Sequence, residues 1–240
     1  MWDPVSSGSD CSIWDMSQLV DQAIDTLCKI FTEAAETVND APLSEFKQNN
    51  PSREQSSIII DLFRIRTESA VTCLEFGTRD ANEETTYCLP LSLGNESEVP
   101  LNKLVNDFLK EELLDGLYYC SNCQELRSAK QKTSICHPLP PVIIIQLKRF
   151  TFDETNEKLN ALVEYPLESL KVLNDDNSFY DLVAVSNHTG NLIGGHYTTY
   201  AKNDEDKAWY PFDDDRICEI TDEKDIVTKN AYILVYVKRM

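Results

Sequence analysis

Gly194-Gly195-His196-Tyr197-Thr198-Thr199-Tyr200 stands near the C-terminus, and Trp209-Tyr210-Pro211-Phe212-Asp213-Asp214-Asp215 follows shortly after it. The pattern reads as a histidine on a glycine turn, an aromatic strand, a short polar loop, a second aromatic strand and an aspartate. A carboxylate beside an imidazole fixes the ring's tautomer and stabilises its protonated form, so such a pair activates a thiol or hydroxyl nucleophile. These residues supply two thirds of a hydrolytic triad, and the third member has to be sought elsewhere in the chain.

Working outward, Val142–Phe150, Tyr180–Asn187, His196–Lys202, Trp209–Asp213 and Tyr232–Lys238 are rich in β-branched or aromatic residues and read as strands. So do the shorter runs Ile58–Phe63, Ala70–Phe76 and Thr86–Leu93. Leu101–Glu112 reads as a helix, with Leu101, Leu104, Val105, Phe108 and Leu109 on one face. A longer amphipathic helix is expected over Ser17–Val38, where Leu19, Val20, Ala23, Ile24, Leu27, Cys28 and Phe31 recur at helical spacing. Asp10 or Ser12 would cap it, and Asp40-Ala41-Pro42 would end it. A helix first and mixed, mainly antiparallel strands later give an α+β class. The acidic runs Asn203–Asp206 and Asp222–Asp225 read as solvated turns.

At 240 residues the chain is long enough to bury a sizeable core, and 42% hydrophobic content with only 7 glycines is that of a globular protein, not a disordered tail. No apolar run is long enough for a membrane span, and residues 1–10 show no basic, apolar secretory leader. The formal charge of −19 repels nucleic-acid phosphates and favours basic partners. The 8 cysteines, irregularly spaced, read as thiols of a cytoplasmic or nuclear protein. Cys28, Cys88, Cys136 and Cys218 fall in apolar helical or strand patterns and are expected in cores.

The histidine segment resembles that of the ubiquitin-specific protease family, and the likeness runs from about residue 57 to 240. Ser57-Ile58-Ile59-Ile60-Asp61-Leu62-Phe63 resembles the stretch leading into the family's fingers, and Cys120-Ser121-Asn122-Cys123 its second finger cysteine pair. Leu139–Phe150 is similar to the central palm strand. Tyr180–His188 leads toward the histidine, and Ala231–Tyr236 closes the pattern. The resemblance implies a papain-like palm of mixed sheet with a finger extension and a reduced helical thumb. It divides the chain into a thumb remnant at 1–50, fingers at 51–135 and a palm at 136–240.

By the same resemblance His196 is the base and Asp213 orients it. Asp214 lies next to the site and Asp215 faces solvent. Tyr197, His188, Gly194 and Gly195 meet the C-terminal Gly-Gly of ubiquitin, with His188–Gly195 as a mobile loop over the channel and Phe152–Lys158 as its partner loop. His188 also has the plainer reading of a histidine packed beside that channel. His137, before Pro138, is expected at the surface. The partners implied are ubiquitin or ubiquitinated proteins, and an acidic palm would receive the arginines of ubiquitin's tail.

Zinc in such fingers takes four thiolates, because paired C-x2-C turns aim their sulfurs at one point. Here Cys120 and Cys123 form one pair, but Cys73-Leu74-Glu75-Phe76 has phenylalanine where the second thiol of the other pair belongs. The remnant Cys73, Cys120 and Cys123 leaves a closed site incomplete. The expectation is therefore a finger with no metal, packed by Phe76, and no cofactor.

The family's nucleophile lies in a box of asparagine, glycine, threonine, cysteine, tyrosine, methionine and asparagine at a helix start, where amides lower the thiol pKa and an asparagine serves the oxyanion. No such box occurs in these 240 residues. The nearest approach is Ser7-Gly8-Ser9-Asp10-Cys11-Ser12, with Ser6 in the oxyanion position and Asp10 beside the thiol, where it would raise the thiol pKa. Three readings remain: a homologue without its nucleophilic lobe, hence a pseudoenzyme or partial copy; a minimal deubiquitinase using Cys11; or a non-catalytic ubiquitin-binding scaffold.

Overall fold

The computed structural model describes residues 58–151, 157–174, 177–191, 194–214, 216–217 and 222–239. The expected helix Ser17–Val38, with Cys11 and Cys28, lies outside them, as do Asp215, Cys218 and residues 152–156 of the expected partner loop.

The first described element is a helix, α1 (Ile58–Phe63), not the strand expected from its isoleucines. An apolar run without period does not distinguish strand from buried helix, and β propensity yields to context. The Arg64 N–H donates to the Ile60 carbonyl at 3.1 Å, and the chain turns extended only at Ile65. From there a long antiparallel ladder forms between β1 (Ile65–Cys73) and β2 (Arg79–Thr86), with β1 also paired to β8 (Ala129–Cys136) and β8 to β5 (Glu112–Leu113). β2 is an edge strand, exposed over nearly its whole length and reading Arg-Asp-Ala-Asn-Glu-Glu-Thr-Thr. Charge along an edge discourages pairing with another chain. Apart from Cys136, this four-stranded sheet falls within the segment 51–135 expected as fingers. Beside it, β6 (Tyr118–Cys120) and β7 (Glu125–Arg127) make a separate hairpin. Leu74–Phe76, expected to continue the strand, instead form the turn after β1.

The larger sheet positions the candidate site. β3 (Leu89–Ser92), β9 (Val142–Lys148), β11 (Tyr180–Gly190), β12 (Gly195–Lys202), β13 (Trp209–Asp213), β14 (Arg216–Ile217) and β15 (Ala231–Lys238) lie in the order β14-β13-β12-β11-β15-β9-β3. All neighbours are antiparallel except β3 and β9. In β9 burial alternates, with Ile143, Ile145 and Leu147 inward, and Leu89, Leu182, Val185, Leu234 and Tyr236 complete the layer. The helix α2 (Leu101–Phe108) lays Leu101, Leu104 and Val105 into the same core. It is shorter than the expected Leu101–Glu112, since Glu112 joins β5. β4 (Glu98–Pro100) pairs in parallel with β10 (Leu162–Glu164). Residues 89–108 therefore pack with the larger sheet although they fall within the segment 51–135. The whole is an α+β fold of mixed, mainly antiparallel sheet.

Arg149, just past the end of β9, is fully buried. Its guanidinium donates from Nε to the Ala231 carbonyl at 2.5 Å, and from Nη1 to those of Leu159 and Ala161 at 3.1 and 2.9 Å. Desolvation pulls its pKa down to about 10. It thereby ties the connection into β10 to the start of β15, one strand from the histidines. Among the described residues no helix is long and apolar enough to cross a membrane.

Candidate active site

β11 and β12 form one hairpin. Their ladder runs from Ala184 opposite Ala201 through Thr189 opposite His196 to Gly190 opposite Gly195. Within the segment His188–Gly195, expected as a loop, His188–Gly190 and Gly195 are strand, because the ladder continues to Gly190 and Gly195 themselves. Gly190 has φ +129°, and a Cβ there would meet the Gly194 carbonyl oxygen at 2.6 Å. Gly195 is constrained differently: a Cβ would stand 2.2 Å from Nε2 of His188. The imidazole of His188 occupies the space a side chain at 195 would need.

Adjacent residues in a strand face opposite ways, so His188 and Tyr197 share one face of the hairpin while Thr189 and His196 share the other. β13 pairs alongside β12, with Phe212 opposite Thr199. Asp213 lies one step further, on the diagonal from His196, within reach of a long side chain. Nε2 of His196 and Oδ1 of Asp213 are 2.5 Å apart. The turn into β14 begins at Asp214, whose φ of +51° is the left-handed conformation that aspartate tolerates in tight hairpins. That turn brings the Asp214 carboxylate in as well: one ligand atom from each of His196, Asp213 and Asp214 lies within 4.8 Å of the others.

The Asp213 hydrogen bond, with smaller charge effects from Asp213 and Asp214, raises the His196 pKa above its ordinary value. Both side chains are about half exposed, at 50% and 49%. With Nε2 engaged by the carboxylate, Nδ1 has no hydrogen-bond partner among the described residues. It is the ring nitrogen open to take a proton.

On the other face, His188 is only 3% exposed and packs among aromatic rings. Its centroid is 4.7 Å from Tyr197, 5.5 Å from Phe150 and 6.0 Å from Tyr232. Tyr197 covers the cluster from outside and stays 56% exposed. Lys158 Nζ donates to the His188 carbonyl, and the His188 N–H to that of Asn230 at 2.8 Å. Burial first, then the Lys158 charge, pushes the His188 pKa down. His188 is thus not a loop residue but a neutral aromatic packing partner, set away from His196. Phe150, Tyr232 and Lys158, which build this cluster, were not singled out as site residues from the sequence. Phe150 and Tyr232 sit in apolar runs that read as plain strand and Lys158 at the end of the expected partner loop, and nothing local marks which of these segments become neighbours.

The profile of the ubiquitin carboxyl-terminal hydrolase family matches residues 15–236. The chain belongs to this family, among the ubiquitin-specific proteases. Ubiquitin carboxyl-terminal hydrolase 15 of Rattus norvegicus is 38% identical over 147 residues, 58% of this chain and 15% of the relative. Ubiquitin carboxyl-terminal hydrolase 9 of Arabidopsis thaliana is 32% identical over 203 residues, 81% of this chain and 20% of the relative. The chain therefore spans a fifth or less of the length of these relatives. Among solved structures, the SAGA Ubp8/Sgf11/Sus1/Sgf73 DUB module bound to ubiquitin aldehyde is similar with a TM-score of 0.68 and 25% identity, over 90% of this chain and 48% of that one. A yeast SAGA DUB module matches with a TM-score of 0.70 and 25% identity, over 85% and 47%.

The end of β1 and the β6–β7 hairpin bring the cysteine remnant together. Cys73 ends β1 at its turn, Cys120 ends β6, and Cys123 sits in the β6–β7 turn. One sulfur from each lies within 4.8 Å of the others. They provide three corners of a thiolate tetrahedron. Phe76, expected to pack the finger, is instead 66% exposed in the turn and fills no fourth corner. Cys88 lies in the bend between β2 and β3, not in a strand, and is no part of this cluster. Among the described residues no fourth thiol joins them to complete the family's closed four-thiolate site.

Proposed function

We propose that this chain carries the ubiquitin-holding palm and fingers of a cysteine deubiquitinase and the base half of its catalytic machinery, without a nucleophile box of the family's form. The observation that carries the reading is the His196–Asp213 pair, with Nε2 held at 2.5 Å and Nδ1 open. In this role Asp213 fixes the ring so that Nδ1 faces a thiol, and Asp214 adds to the field favouring the imidazolium. Nδ1 would take the thiol proton as the sulfur attacks the carbonyl after ubiquitin's terminal glycine, then return it to the departing amine. Tyr197, Gly194 and Gly195 would border the path of the Gly-Gly end, and the acidic surface would receive the basic tail.

Within these 240 residues Cys11 is the nearest to a nucleophile by position. It has serine where the oxyanion donor belongs and Asp10 beside it. Loss of one oxyanion donor costs roughly 100- to 1000-fold in rate, so the isolated chain is expected to leave ubiquitin conjugates intact. The test is a ubiquitin probe with a thiol-reactive C-terminal warhead, followed by mass spectrometry. No adduct on any cysteine supports the reading. An adduct on Cys11, lost in both Cys11→Ala and His196→Ala, would make this an active minimal deubiquitinase. Retained binding of ubiquitin in His196→Ala and Asp213→Asn, with no adduct in the parent, is expected also for a pure scaffold.

A further inference from the structure

Three thiols meet from two separate segments, and among the described residues no fourth His, Cys, Asp or Glu joins them. Sγ of Cys73 and Sγ of Cys123 are 3.8 Å apart, in van der Waals contact. Cys73 is fully buried at the end of β1; Cys123 is partly exposed in the hairpin turn. Cys120, also fully buried, ends β6, and its sulfur accepts hydrogen bonds from the backbone N–H groups of Cys123 and Asn122. Both arms are held in shape by the backbone: the Gly77 N–H donates to the Cys73 carbonyl and the Gln124 N–H to that of Cys120.

The geometry points to a reversible Cys73–Cys123 disulfide, formed by hydroperoxide, as a redox device that fastens the fingertip hairpin to the finger sheet. The Cys123 thiol, the partly exposed one, gives its proton to solvent. The Cys123 thiolate attacks hydrogen peroxide, the O–O bond breaks, and sulfenic acid forms as hydroxide leaves with a proton as water. The Cys73 thiol then attacks that sulfur, and the sulfenic oxygen departs as a second water. In sum, two thiols and one peroxide give one disulfide and two waters. A reductant thiol reverses it, consistent with the transient disulfides of reducing compartments.

The partner chosen matters mechanically. A Cys120–Cys123 bond closes only the hairpin's own turn and joins nothing. A Cys73–Cys123 bond links β1 to the β6–β7 hairpin and so fixes the exposed face carried by both. Tyr119 and Leu126 are cross-strand partners on that hairpin, 59% and 57% exposed. Leu126 lines a groove with Leu74 and Leu117, both at least half exposed.

The experiment treats the purified full chain with one equivalent of hydrogen peroxide, then maps peptides without reductant. Expected are a Cys73–Cys123 cross-link, loss of two thiols per peroxide, reversal by dithiothreitol, and a melting temperature raised on the order of 5 °C. Cys73→Ser should leave Cys123 as a sulfenic acid trapped by dimedone; the peptide map of the parent protein stands without that variant. A Cys120–Cys123 bond, faster oxidation of the partly exposed Cys88 or Cys136, or stoichiometric chelatable zinc in the purified protein would each overturn the inference.

Discussion

His196 and His188 come from one hairpin, yet their surroundings drive them in opposite directions. Asp213 raises the pKa of His196, while burial lowers that of His188. Imidazole NMR should show His196 titrating above its ordinary 6.5 and His188 below it. Asp213→Asn should bring His196 down, since the lost hydrogen bond is the largest cause; an unchanged midpoint would remove Asp213 from the orienting role. The consequence for stability depends on which form the fold prefers. A histidine whose folded pKa is depressed supports the fold above its unfolded value and loses that support as pH falls through the folded value. His188 should therefore contribute to acid unfolding below pH ~6.5, and His188→Gln should flatten the fall in urea stability between neutral and acid pH. His196 works the other way, with support present below its unfolded value and lost as pH rises through the folded one. At half exposure that effect is small. The His196–Asp213 pair was legible in the sequence because glycine turn, strand and aspartate succeed one another locally. The aromatic enclosure of His188 was not, because Phe150 and Tyr232 arrive from strands far apart in the chain.

The hairpin β11–β12 is the element on which the site depends, and Gly195 is where its packing is tightest. Gly195→Ala would place a Cβ 2.2 Å from His188 Nε2 and 2.5 Å from the Thr189 carbonyl oxygen. Backbone cannot yield as a flexible side-chain end would, so the strands must separate or His188 must leave its aromatic neighbours. The expected cost is roughly 1–3 kcal/mol, read as a lower denaturant midpoint, with the His188 and Tyr197 resonances shifted. A variant of parental stability with His188 unmoved would show that the glycine serves only the turn. At this scale the strands with clear alternation, such as β9, were legible in the sequence. Ile58–Phe63 was not, since a short apolar run carries no period and tertiary context decides between helix and strand.

Across the whole molecule the excess of acidic groups favours basic partners. If the acidic surface receives ubiquitin's basic tail, affinity in the micromolar range, on the order of −8 kcal/mol, should weaken several-fold as salt rises. The Debye length falls from about 10 Å at 0.1 M to about 3 Å at 1 M. Titration of labelled ubiquitin at several ionic strengths measures this, and a salt-independent affinity would assign the contact to apolar surface instead. By itself the sequence determined the family, the α+β class and the His196–Asp213 pair, because these rest on local order and alternation along the chain. It also brought Cys73, Cys120 and Cys123 into view as a set. Only the tertiary structure decided that their sulfurs meet, that Phe76 turns to solvent, and that His188 is buried against Gly195 on the face away from His196. Those outcomes depend on which strands pair and in what register, and register is a property of the sheet that no single strand contains.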